Sequence, residues 1–75
     1  MRSYNLFCLK SLDGLVCAVP EDYAVPVFVT EARWAFGGKL DGSTPRPVGF
    51  DGAAAATAVR FNGFYLFQSL SQAQG

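Results

Sequence analysis

The stretch from Asp51 to Ser69, DGAAAATAVRFNGFYLFQS, leaves this chain less freedom than any other. Four consecutive alanines, Ala53 to Ala56, have the best helix propensity of any residue type, and Asp51 stands where an N-cap carboxylate accepts from the free amides of a first turn. The spacing predicts a helix over Asp51 to Asn62, with Ala54, Ala58 and Phe61, flanked by Ala55 and Val59, on the stripe that meets the rest of the fold. That stripe is mostly methyl groups, so the helix can lie close to whatever it covers. Asn62-Gly63 stops it, because both residues tolerate the left-handed conformation of a helix C-terminus. Asn-Gly between apolar runs is also a strong hairpin signal, here joining Ala58-Phe61 to Phe64-Phe67, so residues 58–67 remain open between helix plus strand and hairpin. The hairpin would trim the helix to about seven residues, too few to be stable without strong packing, which favours the helix. In both versions Phe64 to Gln68 is a strand, with Phe64 and Leu66 on one face and Tyr65 and Phe67 on the other.

Upstream, Tyr4 to Lys10 and Leu15 to Val19 flank Asp13-Gly14 and read as a β-hairpin. A two-residue turn at Asp13-Gly14 pairs Lys10 with Cys17 and Cys8 with Val19. Leu6, Cys8, Leu12, Leu15, Cys17 and Val19 then share one face, and Phe7, Leu9, Val16 and Ala18 the other. A three-residue loop with Gly14 in a bulge puts the two cysteines on opposite faces instead. Neither register predicts a disulfide. Pro20-Glu21-Asp22 ends the hairpin, and Pro26 opens Val27-Phe28-Val29, either a one-turn helix or a short extended piece, expected to plug one edge of the core. Arg33 to Leu40 is a third strand with Trp34 and Phe36 on one face, interrupted by Gly37-Gly38, where a bulge or a close backbone approach is expected. The turn-rich run Asp41 to Pro47 is a surface loop, and Phe50 is placed to pack over the first helical turn.

Both faces of these strands are apolar, whereas an antiparallel sheet with one face in water alternates apolar with polar. Composition agrees: 51% of the 75 residues are hydrophobic and 16% charged, where ordinary domains carry about a quarter charged. A single domain of this length is expected, with residues 70–75 frayed. The architecture implied is α+β: an antiparallel sheet of about four strands (the N-terminal hairpin, Arg33-Leu40 and Phe64-Gln68) with the Asp51-Asn62 helix on one face. One helix covers one face only. An uncovered apolar face usually marks an interface, and burying some 600 Å² of it per protomer would contribute of the order of 15 kcal/mol before association costs.

The chemistry available is sparse. There is no histidine, which removes the commonest general base. Two cysteines, not at CxxC spacing, read as small buried hydrophobes rather than as a disulfide framework or zinc ligands. Gly37-Gly38 lacks the surroundings of a phosphate loop, and Glu21-Asp22 reads as a solvated turn rather than an acid–base couple. No catalytic, cofactor-binding or metal residue is expected, and no cofactor. Six basic and six acidic side chains are scattered with no basic stripe, so nucleic acid is disfavoured as a partner. Lys10 and Asp13 break the apolar run that a signal peptide needs, and no stretch reaches the ~18 apolar residues of a membrane span, so a soluble, cytoplasmic chain is expected.

Three functions follow from these features, none of them enzymatic. The first is a small interaction module, most simply a homodimer with a regulatory or structural role, with Tyr4, Leu6, Trp34, Phe36, Phe61, Tyr65 and Phe67 as candidate interface or ligand contacts. The second is a binder of small hydrophobic ligands, with a pocket between helix and sheet lined by Trp34, Phe61 and Phe67. The third is a nucleic-acid-binding module using aromatic residues as a stacking platform.

Overall fold

A computed structural model describes residues 3–11, 14–41 and 49–69. Four strands, β1 (Tyr4–Leu9), β2 (Leu15–Pro20), β3 (Trp34–Leu40) and β4 (Tyr65–Gln68), form one antiparallel sheet in the order β3-β1-β2-β4. The helix α1 (Gly52–Asn62) lies between β3 and β4 in sequence, so residues 58–67 are helix plus strand. The expected α+β architecture is therefore present. Residue 70 onward, Asp13 of the expected turn with Leu12 before it, and most of the Asp41 to Pro47 loop lie outside the described residues.

The helix ends as its sequence dictates. The Asp51 carboxylate accepts from the Ala53 and Ala54 amides at 2.9 and 3.2 Å, and Gly63, at φ 85°, donates its amide to the Val59 carbonyl at 2.9 Å. Its orientation differs from the expected stripe. Ala55 and Val59 face the sheet, whereas Ala54 is exposed and Phe61 is 76% exposed. Phe61 follows Val59 by two positions, about 200° round the helix, so burying Val59 sends Phe61 outward. The buried pair is small, and smallness decides how close a helix can come to a sheet.

The hairpin register also departs from expectation. Cys8 faces Val16 and Phe7 faces Cys17, three residues out of step with the two-residue turn. The reason is that both ends of the connection are engaged elsewhere: the Lys10 amide bonds the Arg33 carbonyl at 2.8 Å, and the Gly14 carbonyl accepts from the Ser69 amide at 2.7 Å. These bonds tie Lys10 and Gly14 to the neighbouring segments rather than to each other. Leu6 and Cys8 join Val16 and Ala18 under the helix, and Phe7 joins Cys17 and Val19 on the opposite face. Cys8 and Cys17, both free thiols, lie on opposite faces of the sheet.

The larger correction concerns that opposite face. The chain covers it itself. Residues 21–33 fold across it, with Val27–Thr30 forming a 3-10 turn whose Val29 is 3% exposed against Cys17 and Val19. Around this turn Phe28 stands edge-on to Trp34 at 5.6 Å and to Phe64 at 5.1 Å. The segment expected to plug an edge is instead a second cover, which explains how β2 can be buried on both faces: Cys17, Ala18 and Val19 are each 0% exposed. The broad open face that implied a partner is not there.

Candidate functional site

The seven residues singled out in the sequence fall into three groups. Tyr4, Leu6, Tyr65 and Phe67 lie under the helix, where the rings of Tyr4, Tyr65 and Phe67 surround Phe50 at 5.6, 5.5 and 5.4 Å. Trp34 and Phe36 belong to the opposite face, and Phe61 stands on the outer side of α1. The sheet separates Trp34 from Phe67, so the pocket drawn from Trp34, Phe61 and Phe67 is not assembled. Of the seven, only Phe36 and Phe61 remain largely exposed, at 64% and 76%.

Phe36 sits on β3, an outer strand of the sheet. Its ring leans edge-on against Phe7 at 5.8 Å, beyond the reach of the Phe28 cluster. The strand is bulged beside it. The register with β1 shifts between Leu6 and Phe7, and Gly37-Gly38 absorbs the extra residue. Gly38 has φ 121°, and a Cβ on Gly37 would stand 2.6 Å from the Cys8 sulfur, so the pair serves both the bulge and a close approach of two strands. Lys39, farther along the same strand, pairs with Glu21 at the start of the covering segment, and that hydrogen bond raises its pKa. Both partners are about half exposed, so the pair adds little stability.

Beneath the other face, an open groove of about 500 Å³ runs between α1 and the start of the covering segment, lined by Tyr4, Tyr23, Ala56, Val59 and Arg60. Of these only Tyr4 was anticipated as a site residue; Tyr23, Ala56, Val59 and Arg60 were not. They come from segments far apart in sequence, and only the placement of α1 over Tyr4 brings them together.

Nucleophilic chemistry finds little here. Burial pushes the Cys17 thiol from 9.0 up to about 12, which keeps it protonated and unreactive. Among the described residues no cluster of three or more His, Cys, Asp or Glu side chains is placed to hold a metal ion. No helix among them is long and apolar enough to cross a membrane. No family model, no curated protein and no solved structure matches this chain.

Proposed function

We propose that the protein is a non-enzymatic, cytoplasmic interaction module that self-associates through the outer edge of β3. The observation that carries this reading is Phe36, 64% exposed on a seven-residue edge strand. An edge strand presents unpaired amides and carbonyls that template another strand, and β3 is longer than the opposite edge strand β4, which has four residues. Antiparallel pairing of two β3 strands continues the sheet across a two-fold axis and brings the two Phe36 rings into mutual reach, each beside its own Phe7.

The magnitudes point to a reversible dimer. Burying a phenylalanine side chain contributes about 1.5–3 kcal/mol, and each new backbone hydrogen bond about 1 kcal/mol net. Set against the loss of translational and rotational freedom, these terms support only a weak, concentration-dependent association. That is far less than a whole uncovered face would have supplied, and it suits a regulatory role in which association responds to concentration.

Sedimentation velocity across a range of concentrations tests the reading, with Phe36→Lys as the comparison. Lysine on an edge strand opposes pairing, and at this exposed position it leaves the core untouched. The wild type is expected to shift from monomer to dimer over the micromolar range while Phe36→Lys stays monomeric. A wild type that remains monomeric at high micromolar concentration, or a variant that dimerises equally well, contradicts the proposal.

A further inference from the structure

We propose that the groove between α1 and Tyr23 is a binding site for a small planar carboxylate, an aryl-alkanoate in size and shape, held by Arg60 and Tyr4. The groove belongs to the helix side of the sheet, so this site is independent of the β3 edge and of whether the chain dimerises. Its volume, about 500 Å³, falls within the range of small-molecule sites, roughly 300–1,000 Å³.

Two polar groups give the groove its chemistry. Tyr4 is only 8% exposed, and its hydroxyl has no hydrogen-bond partner among the described residues although the residue lines the groove. A tyrosine hydroxyl that lacks a protein partner and borders an open groove bonds water there, and a ligand oxygen can take that water's place. Among the described residues Arg60 is the one charged side chain in the lining, and its guanidinium makes no ion pair or hydrogen bond with any of them. A planar guanidinium matches the two oxygens of a carboxylate in a paired geometry that an ammonium cannot reproduce.

The rest of the lining selects a flat, apolar body for the ligand. Tyr23 lies close to the helix end, its ring carbon Cδ2 3.8 Å from where a side chain on Gly63 would begin. That is an ordinary contact distance, so glycine is required there by the left-handed helix end, at φ 85°, and not by the ring. Opposite, Ala56 and Val59 offer a shallow aliphatic wall one helical turn long. A ring between Tyr23 and this wall, with its carboxylate on Arg60 and within reach of Tyr4, uses each of the described residues of the lining.

Arg60 also has a plain structural role, since a cation in the last turn of a helix interacts favourably with the C-terminal end of the dipole. Lysine fills that role equally well but lacks the paired donors, which separates the two roles experimentally. Amide-resolved NMR titration is carried out with 3-phenylpropanoate and, as neutral control, 3-phenylpropanamide, on the wild type, Arg60→Gln, Arg60→Lys and Tyr4→Phe. The acid is expected to give saturable shifts around Tyr23 and residues 56–63 at millimolar concentration or below, and to bind about tenfold or more tightly than the amide, the worth of a charge-assisted hydrogen bond. Arg60→Gln is expected to erase the difference between acid and amide, Arg60→Lys to weaken the acid severalfold with an unchanged melting temperature, and Tyr4→Phe to weaken it by a smaller factor. Shifts that do not saturate, shifts centred away from the groove, equal binding of acid and amide, or full binding by Arg60→Gln each overturn the proposal.

Discussion

The two faces of the sheet are closed by very different means. Under α1, a regular helix of eleven residues lays Ala55 and Val59 onto Val16, Ala18 and Phe67, with Phe50 filling the gap among the rings. On the other face a four-residue 3-10 turn does the covering, and aromatic bulk replaces regularity: Phe28, Trp34 and Phe64 stand edge-on around Val29. A helix shelters a face by repeating small residues, whereas a short turn must use large ones, and its reach is limited. The limit is visible at Phe36 and at Leu66, 45% exposed, which lie on the two edge strands of the turn-covered face.

The largest expected effect contrasts the two covers directly. Phe67→Ala, under the helix and 6% exposed, is expected to cost about 3–5 kcal/mol in denaturant unfolding, a large share of the ~4–11 kcal/mol that a domain of this length holds. Phe28→Ala, half-buried in the turn's cluster, is expected to cost roughly 1–3 kcal/mol. If Phe28→Ala costs less than the scatter of surface substitutions, about 0.5 kcal/mol, the turn is not a structural cover and the comparison fails.

A second experiment sharpens the account of how β3 meets β1. Gly37→Ala sets a methyl against the Cys8 sulfur and is expected to destabilise by about 1–3 kcal/mol, the usual cost of overpacking. Cys8→Ala removes that sulfur, and the double variant is expected to recover about 1 kcal/mol or more relative to the sum of the two single changes. Simple additivity would mean that the Cys8 sulfur is not what the absence of a side chain at Gly37 makes room for.

The faces also differ in sensitivity to pH, through Cys17 beneath the turn. Its thiol ionises near 9.0 when exposed and only near 12 when folded, so above pH 9 the unfolded chain loses a proton that the folded chain keeps. Stability present below about pH 9 is therefore expected to fall as pH rises toward 12, with a slope of at most about 1.4 kcal/mol per pH unit from this group. Cys17→Ala is expected to flatten that slope by the same amount. An unchanged slope in unfolding measurements would show that the turn does not keep solvent from this side of β2.

The same contrast explains what could be read from the sequence. The helix was legible because its signals are local and repeated: Asp51 before four alanines, then Asn62-Gly63. The strands, and the alternation within β3 and β4, were legible for the same reason. The cover formed by Val27–Thr30 was not, because four residues after a proline show no period, and their role depends on Trp34 and Phe64 arriving from elsewhere. The hairpin register escaped because Lys10 and Gly14 answer to Arg33 and Ser69, not to each other. Val59 and Ala55 are buried as their place on the expected stripe implied, whereas the exposure of Phe61 departed from expectation because closeness of packing outweighed side-chain size on α1. As for the groove, its lining converges only once the helix is in place, so neither Tyr23 nor Arg60 carried a mark of it in the sequence.

Behind these comparisons stands one claim: the chain closes both faces by itself, and the association we propose would use an edge that folding does not need. Its most direct test is the urea midpoint of Phe36→Lys measured over a wide range of protein concentration. The account predicts a cooperative transition whose midpoint does not move with concentration, from a protein that is folded when monomeric. A variant that is unfolded when dilute, or whose midpoint climbs steadily with concentration, would show that a second copy is part of the fold and would contradict it.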